Sequence, residues 1–211
     1  MLEILILWGY MLFVNASVGV GVLKLVGVLT KKKDKRIRWM SAMMAGIVTV
    51  TVYAETWSLF WKVGMLAHLL LLFFAVLSAV LCRDAFARLY QGFRRECISW
   101  DGFLFLLLAL AIAFCTSRGI QHTDTGIYHA QTIRWYEEYG LVKGLANLQQ
   151  HFGYNSAYLG FASVFSMKWL LGRSLHVTTG FLAFLLCGWA LTGLKDFKRH
   201  ENNLADVSRF G

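Results

Sequence analysis

The sequence contains no proline. That removes the most common cause of a sharp helix kink, so long apolar runs can be read as continuous helices, with glycines such as Gly46 and Gly64 as the remaining places to bend. Cysteine is also sparse. Cys82, Cys97, Cys115 and Cys187 sit in or beside apolar segments, without CxxC spacing or a His-rich partner run. This excludes a zinc ribbon and a disulfide framework and leaves core or lipid-facing thiols. Charged residues make up only 16% of the chain, and acids are scarcer than bases, 12 against 21. The net charge of +9 would suit nucleic acid if it formed an extended basic face. The bases are instead confined to short clusters between apolar runs, as topology signals are. Nucleic acid is therefore excluded as a partner. No low-complexity linker or internal repeat is found.

Apolar surface, by contrast, is abundant. Of the 211 residues 57% are apolar, and the mean hydropathy is +0.53, beyond the usual composition of a soluble domain. A helix needs about 20 mostly apolar residues to cross the hydrocarbon core. Runs of that kind predict an all-α polytopic membrane protein of about six spanning helices, over 2–29, 39–61, 63–81, 100–116, 154–171 and 175–194. The second carries Glu55, the fifth carries Lys168, and the fourth is short. This divides the chain into four N-terminal spans over 1–116, an outer loop over 117–153, two further spans over 154–194 and a polar tail over 195–211. A cleaved secretory signal would have bases before its apolar run. Here Glu3 precedes and the bases follow, so the first run reads as a retained anchor.

Lys31, Lys32, Lys33, Lys35, Arg36 and Arg38 separate the first two runs, and Arg83, Arg88, Arg94 and Arg95 separate the third from the fourth. Both connections are expected on the cytoplasmic side of the cell inner (plasma) membrane, with the N-terminus outside and the loop 117–153 extracytoplasmic. That loop is electrically balanced, with Arg118, Arg134 and Lys143 against Asp124, Glu137 and Glu138. Six spans would set Arg173 in a tight cytoplasmic turn but leave Lys195, Lys198 and Arg199 outside; a re-entrant fifth segment would remove that conflict.

The loop holds most of the candidate chemistry. Thr123 or Asp124 can cap a juxtamembrane helix that runs to Tyr139, with Gly140 as its left-handed C-terminal residue. Tyr128, Thr132, Trp135, Tyr136 and Tyr139 fall on one side of it, suited to the membrane interface, and Arg134, Glu137 and Glu138 towards the other. A second short helix is expected around 145–150. Asp124, beside Tyr128 and His129 at the bilayer surface, suits a base that takes a proton from a hydroxyl, its pKa raised by partial desolvation, or a ligand to a divalent cation. Equally, it suits a simple helix cap. His122, Asp124 and His129 have no standard metal spacing and no assured fourth ligand. His151, Asn155 and Ser156 could bind sugar or phosphate hydroxyls, or cap the next helix. Glu55 is either an intramembrane functional carboxylate or an interfacial group near Trp57 and Lys62. His68 and His176 read as packing residues. The spans carry few ionisable groups and no paired broken helices, which speaks against a transporter or channel.

From Asp124 onward the run DTGIYHAQTIRWYEEYGLVKGLANLQQHFGYNS, followed by GRSLH, resembles a subgroup of bacterial multispan proteins organised like the GT-C superfamily of lipid-linked-sugar glycosyltransferases. Asp124, Tyr128, His129, Trp135, Tyr139, Gly140, Gly144, Leu145, Asn147, Leu148, Gly153, Asn155 and Ser156 carry the resemblance, which covers 117–194. It implies an integral membrane protein that transfers a sugar from a polyprenyl-phosphate donor on the outer face, in cell-envelope polysaccharide or glycolipid assembly. Asp124 would be the catalytic base or hold a cation. Tyr128, His129, Arg118, Arg134, Trp135 and Asn155 would be the substrate-binding groups, with the two arginines on the phosphate. Superfamily members are generally longer, so the chain reads as a truncated or split form with a protein partner supplying the missing spans. The alternative is a non-catalytic module that binds a protein or lipid headgroups through the loop.

Overall fold

A run of 28 residues free of proline and of clustered charge forms the first helix, α1, over Leu2–Leu29. The computed structural model describes residues 1–31, 37–98, 100–119, 123–154 and 156–198, and among these all regular structure is helical. After α1 come α2 (Trp39–Ser58), α3 (Met65–Leu81), α4 (Arg83–Cys97) and α5 (Trp100–Ser117). A π turn (Thr125–His129) leads into α6 (Ala130–Glu138), followed by α7 (Leu145–Leu148), a 3-10 turn (Gln150–Tyr154), α8 (Ala157–Val164), α9 (Lys168–Leu171) and α10 (Thr178–Lys198).

The centre is α1, which packs against α2 and α3 and also meets α4 and α5. The closest approach is made by glycines. A Cβ at Gly19 would run into the carbonyl of Ala42, and one at Gly46 into the carbonyl of Asn15, so the α1 and α2 backbones touch directly. Small residues at helix crossings are the packing device of helices in lipid, where close van der Waals contact replaces the hydrophobic drive. The interior is correspondingly polar in places. Asn15 and Ser17 are fully buried, and Asn15 Nδ2 donates to the Met11 carbonyl at 2.8 Å. His68 Nδ1 donates to the Val164 carbonyl at 3.1 Å, since a carbonyl can only accept, which leaves Nε2 to accept from the Tyr10 hydroxyl at 2.8 Å. Tyr53 donates to the Ala67 carbonyl at 2.7 Å.

Apolar side chains line parts of the outer surface. Met44, Val48 and Val52 form a stripe at helical spacing on α2, each 56–59% exposed, and Leu66, Leu69, Phe73, Val76 and Val80 form another on α3. On length and composition, however, α1 is the one described helix that suffices alone to cross a membrane; α3 and α4 pass as a pair but meet at a 93° bend. The segments 102–117, 157–171 and 178–191 are shorter apolar helices.

Three expectations change. The fifth segment is not one helix: α8 ends at Val164, Met167 takes a left-handed φ of 57°, and α9 restarts at Lys168. The break lets Lys168 turn back to the carboxylates at the end of α6. Arg173, expected across the membrane from the N-terminus, pairs with Glu3 at 2.8 Å and so lies on the N-terminal face. Trp8 Nε1 also donates to the Val177 carbonyl at 3.0 Å, so α10 starts at that same end and runs alongside α5. The connection after α3, read as a loop, is the helix α4, whose Ala85 and Leu89 are buried against the bundle.

Candidate functional site

The loop helix forms where it is expected, and its exit is set by glycine. Tyr139 is the last capping residue, and Gly140 follows at φ 81°, a conformation L side chains rarely adopt. A Cβ there would also strike the carbonyls of Ser58 and Trp61, at 2.7 and 2.8 Å. The close approach is tied by backbone bonds: Leu141 N–H donates to the Ser58 carbonyl and Val63 N–H to the Tyr136 carbonyl, both at 2.8 Å. The end of α6 is thereby stitched to the turn between α2 and α3.

The helix opens with a π turn, an arrangement that recurs at functional sites because it displaces side chains from regular α register. Asp124 precedes it with helical backbone, φ −61° and ψ −26°, and its side chain caps no N–H. The capping reading therefore fails at this residue. The carboxylate instead takes the Tyr128 hydroxyl hydrogen bond. Removal from water, then the neighbouring Asp124 and Tyr154, raise the Tyr128 hydroxyl above its ordinary pKa, so it stays a donor.

Around Tyr128 the loop assembles rings from two segments. His129 lies edge-on at 4.2 Å, His151 stacks on it at 5.2 Å, and Tyr154 meets it edge-on at 5.8 Å. His151 and Tyr154 come from the 3-10 turn, which Gly144 makes reachable with φ 85°. Asp124, Tyr128 and His129 are thus brought together, joined by His151 and Tyr154. The other expected groups are elsewhere. Arg118 sits over the Phe114 ring at 5.6 Å, Arg134 is paired with Glu138 at 3.0 Å, and Trp135 packs on Tyr139 at 5.1 Å. Asn155 and His122 lie outside the described residues. Among the described residues no three His, Cys, Asp or Glu side chains converge as a cation site.

The polar face of α6 is not where polarity alone puts it. Ile133, Tyr136 and Glu137 are the buried residues, so Glu137 points inward rather than to water. It is compensated there by the Ser174 hydroxyl, at 2.8 Å to each carboxylate oxygen, and by Lys168 at 3.7 Å. One residue on, Glu138 bonds Lys168 and Arg134. Tyr136 donates to Glu55 at 3.2 and 3.3 Å, and α8 passes this carboxylate at Gly160, where a Cβ would collide with it. Burial, then the Glu55 charge and hydrogen bond, push the Tyr136 hydroxyl well above its ordinary pKa. Glu55 and Lys168 are legible as charges in apolar runs. Their partners on α6 are not, because each pairing spans long stretches of sequence.

Two outcomes are expected of this network. Lys168→Met leaves the Glu137 carboxylate, only 3% exposed, without its cation and with the Ser174 hydroxyl as its hydrogen-bond donor. It should cost about 2 kcal/mol in thermal unfolding of the detergent-solubilised protein, less than the about 3–5 kcal/mol of a fully buried pair because Lys168 is partly in water. Arg134→Gln, on an exposed side chain, should change little. Separately, the Lys168 and then the Arg134 hydrogen bonds hold Glu138 below its ordinary value of 4.5. A depressed carboxylate contributes stability that is fully present above the unfolded pKa and is lost as pH falls through the folded one. Melting curves from neutral to acidic pH should therefore show wild type above Glu138→Gln at neutral pH, with the difference closing below 4.5.

One family's sequence model matches residues 1–211, the full chain, and that family is described as a domain of unknown function (DUF8201). The chain belongs to this family. No curated protein and no solved structure matches it. The description attaches no chemistry to Asp124 or its neighbours, and what the cluster can do follows from its groups: a carboxylate oriented by a phenol, beside two imidazoles and a second phenol.

Proposed function

We propose that the protein is a glycosyltransferase-like integral membrane protein that transfers a sugar from a polyprenyl-phosphate donor on the outer face of the inner membrane, with the GT-C organisation its outer loop resembles. The observation that carries this reading is the Asp124 carboxylate, released from helix capping and held by Tyr128 in a ring-lined corner of the loop. The acceptor hydroxyl gives its proton to Asp124. Its oxygen bonds to the anomeric carbon of the sugar as the bond from that carbon to the phosphate oxygen breaks, and the polyprenyl phosphate leaves with the electron pair. The faces of His151 and Tyr154 suit the apolar face of a pyranose.

The membrane arrangement that goes with it has five spans, α1, α2, α3, α5 and α10, with α8 and α9 as a re-entrant pair entered from outside. At 8 and 4 residues, α8 and α9 are too short to cross. Two observations support this. Exposed apolar stripes run along α2 and α3, the kind of surface that marks a membrane or partner contact. The Arg173–Glu3 pair sets the start of α10 beside the N-terminus, so Lys195 and Lys198 end on the cytoplasmic side with the other basic clusters.

The test is transfer of label from a pool of polyprenyl-phosphate sugars in membranes that contain the protein, with wild type against Asp124→Asn. Transfer lost in the variant at unchanged expression supports the enzyme. Absence of transfer in both favours a non-catalytic module whose loop binds a partner or headgroups, and for which Tyr128, Trp135 and Tyr139, not Asp124, should be indispensable.

A further inference from the structure

On the opposite side from the loop, a groove of about 330 Å³ runs between α1, α2 and α3. Val18, Val22 and Leu25 line it from α1, and Leu71, Phe74 and Leu81 from α3, so its wall is almost wholly apolar. At the Cys82 end the chain turns by 93° into α4. The helix α4 is strongly two-sided: Ala85 and Leu89 are buried, Phe93 stacks on Trp39 at 4.7 Å, and Arg83, Arg88 and Arg94 face outward. Arg83 follows directly on the residue that closes the groove. It pairs with the neighbouring Asp84 at 3.8 Å, and both side chains are more than four-fifths exposed, a pairing too weak to hold the guanidinium away from another anion.

We infer that this groove and the arginine face of α4 form a binding site for an anionic phospholipid of the cytoplasmic leaflet, with an acyl chain in the groove and the headgroup phosphate on Arg83. Charge complementarity selects the occupant. An apolar slot that ends beside Arg83, on a helix that also carries Arg88 and Arg94 on its outward side, matches a hydrocarbon chain ending in a phosphate, and a helix bent at right angles to a span lies in the plane where such headgroups are found. The cations are arginines, whose planar fork suits phosphate oxygens. The site rests on the membrane reading above but not on sugar transfer, and it lies at the far end of the helices from Asp124.

The experiment begins with carbonate extraction of membranes and continues with purified full-length protein in nanodiscs of phosphatidylcholine, with or without phosphatidylglycerol. The readouts are melting temperature and lipid retained in native mass spectrometry. Wild type should retain phosphatidylglycerol in preference to phosphatidylcholine and melt higher in its presence. The preference should drop about fivefold for each arginine removed in Arg83→Gln and Arg88→Gln, and persist in Arg83→Lys. Val22→Trp, which fills the groove, should lower retention of either lipid; the exposed arginine variants keep the test decisive should that variant not fold. Equal retention of the two lipids by wild type, or an unchanged preference in the double arginine variant, overturns the site alone. Release of the protein by carbonate overturns it together with the membrane reading, and loss of transfer in Asp124→Asn bears on neither.

Discussion

Asp124→Asn is expected to lower sugar transfer by about 10²- to 10⁴-fold, the range typical for removing a general base. The substitution keeps size and shape, and the amide oxygen can still accept from the Tyr128 hydroxyl, so the π turn and α6 should be retained. What is lost is the ability to hold a proton taken from the acceptor. The fall should therefore appear in kcat with KM little changed, because an interaction made only in the transition state has been removed. Tyr128→Phe, which keeps the ring contacts to His129 and His151 but removes the hydroxyl that orients the carboxylate, should give a smaller loss. Melting temperatures of both variants should equal that of wild type. A common loss of stability would mean that the cluster serves the fold and not the reaction.

Gly46→Val is expected to prevent assembly of the bundle. The carbonyl, carbon and Cα of Asn15 all lie where a side chain at this position would begin, and all three are backbone, so no rotamer change relieves the clash. The α1 and α2 helices would have to separate, and α1 also holds α3, α4 and α5. A cost of at least about 3 kcal/mol is expected, the upper end of overpacking, and it falls on the central interface. Size-exclusion chromatography of detergent extracts should show the variant lost from the monodisperse peak, with Gly19→Val alike. Gly9→Ala is the control. A Cβ at Gly9 meets nothing within 4 Å, so the change should be neutral or stabilising by up to about 1 kcal/mol through helix propensity.

Much of the local architecture follows from residue order. The 28-residue α1, the start of α2 at Trp39, the end of α3 at Leu81 and the close of the loop helix before Gly140 all agree with apolar run length, charge boundaries and glycine. Grouping Asp124, Tyr128 and His129 needed only their closeness in sequence. The entry of His151 and Tyr154 into that group was not legible in the same way, because it depends on how the chain turns back after Gly144.

Charge inside apolar runs marks the limit. Lys168 weakened the reading of the fifth segment, yet nothing local to it gives the reason, which is a pair of carboxylates 30 residues upstream. Glu137 sits in a run of polar residues that reads as a solvated face, and its burial is decided by Ser174 and Lys168. In the same way α4 is written as a basic connection, and only its contacts with the bundle give it an inner face.

By itself, then, the sequence determined that the chain is helical, the extent of α1, the start of α2, the end of α3 and the grouping of Asp124, Tyr128 and His129, because helix propensity, apolar run length and glycine conformation act over a few neighbouring residues. The tertiary structure alone decided the break between α8 and α9, the burial of Glu137, the return of Arg173 to the N-terminal face and the contact of Gly19 and Gly46 with backbone. Each of these is settled by a partner far away in sequence, and the energy of a buried charge or a close approach depends on that partner.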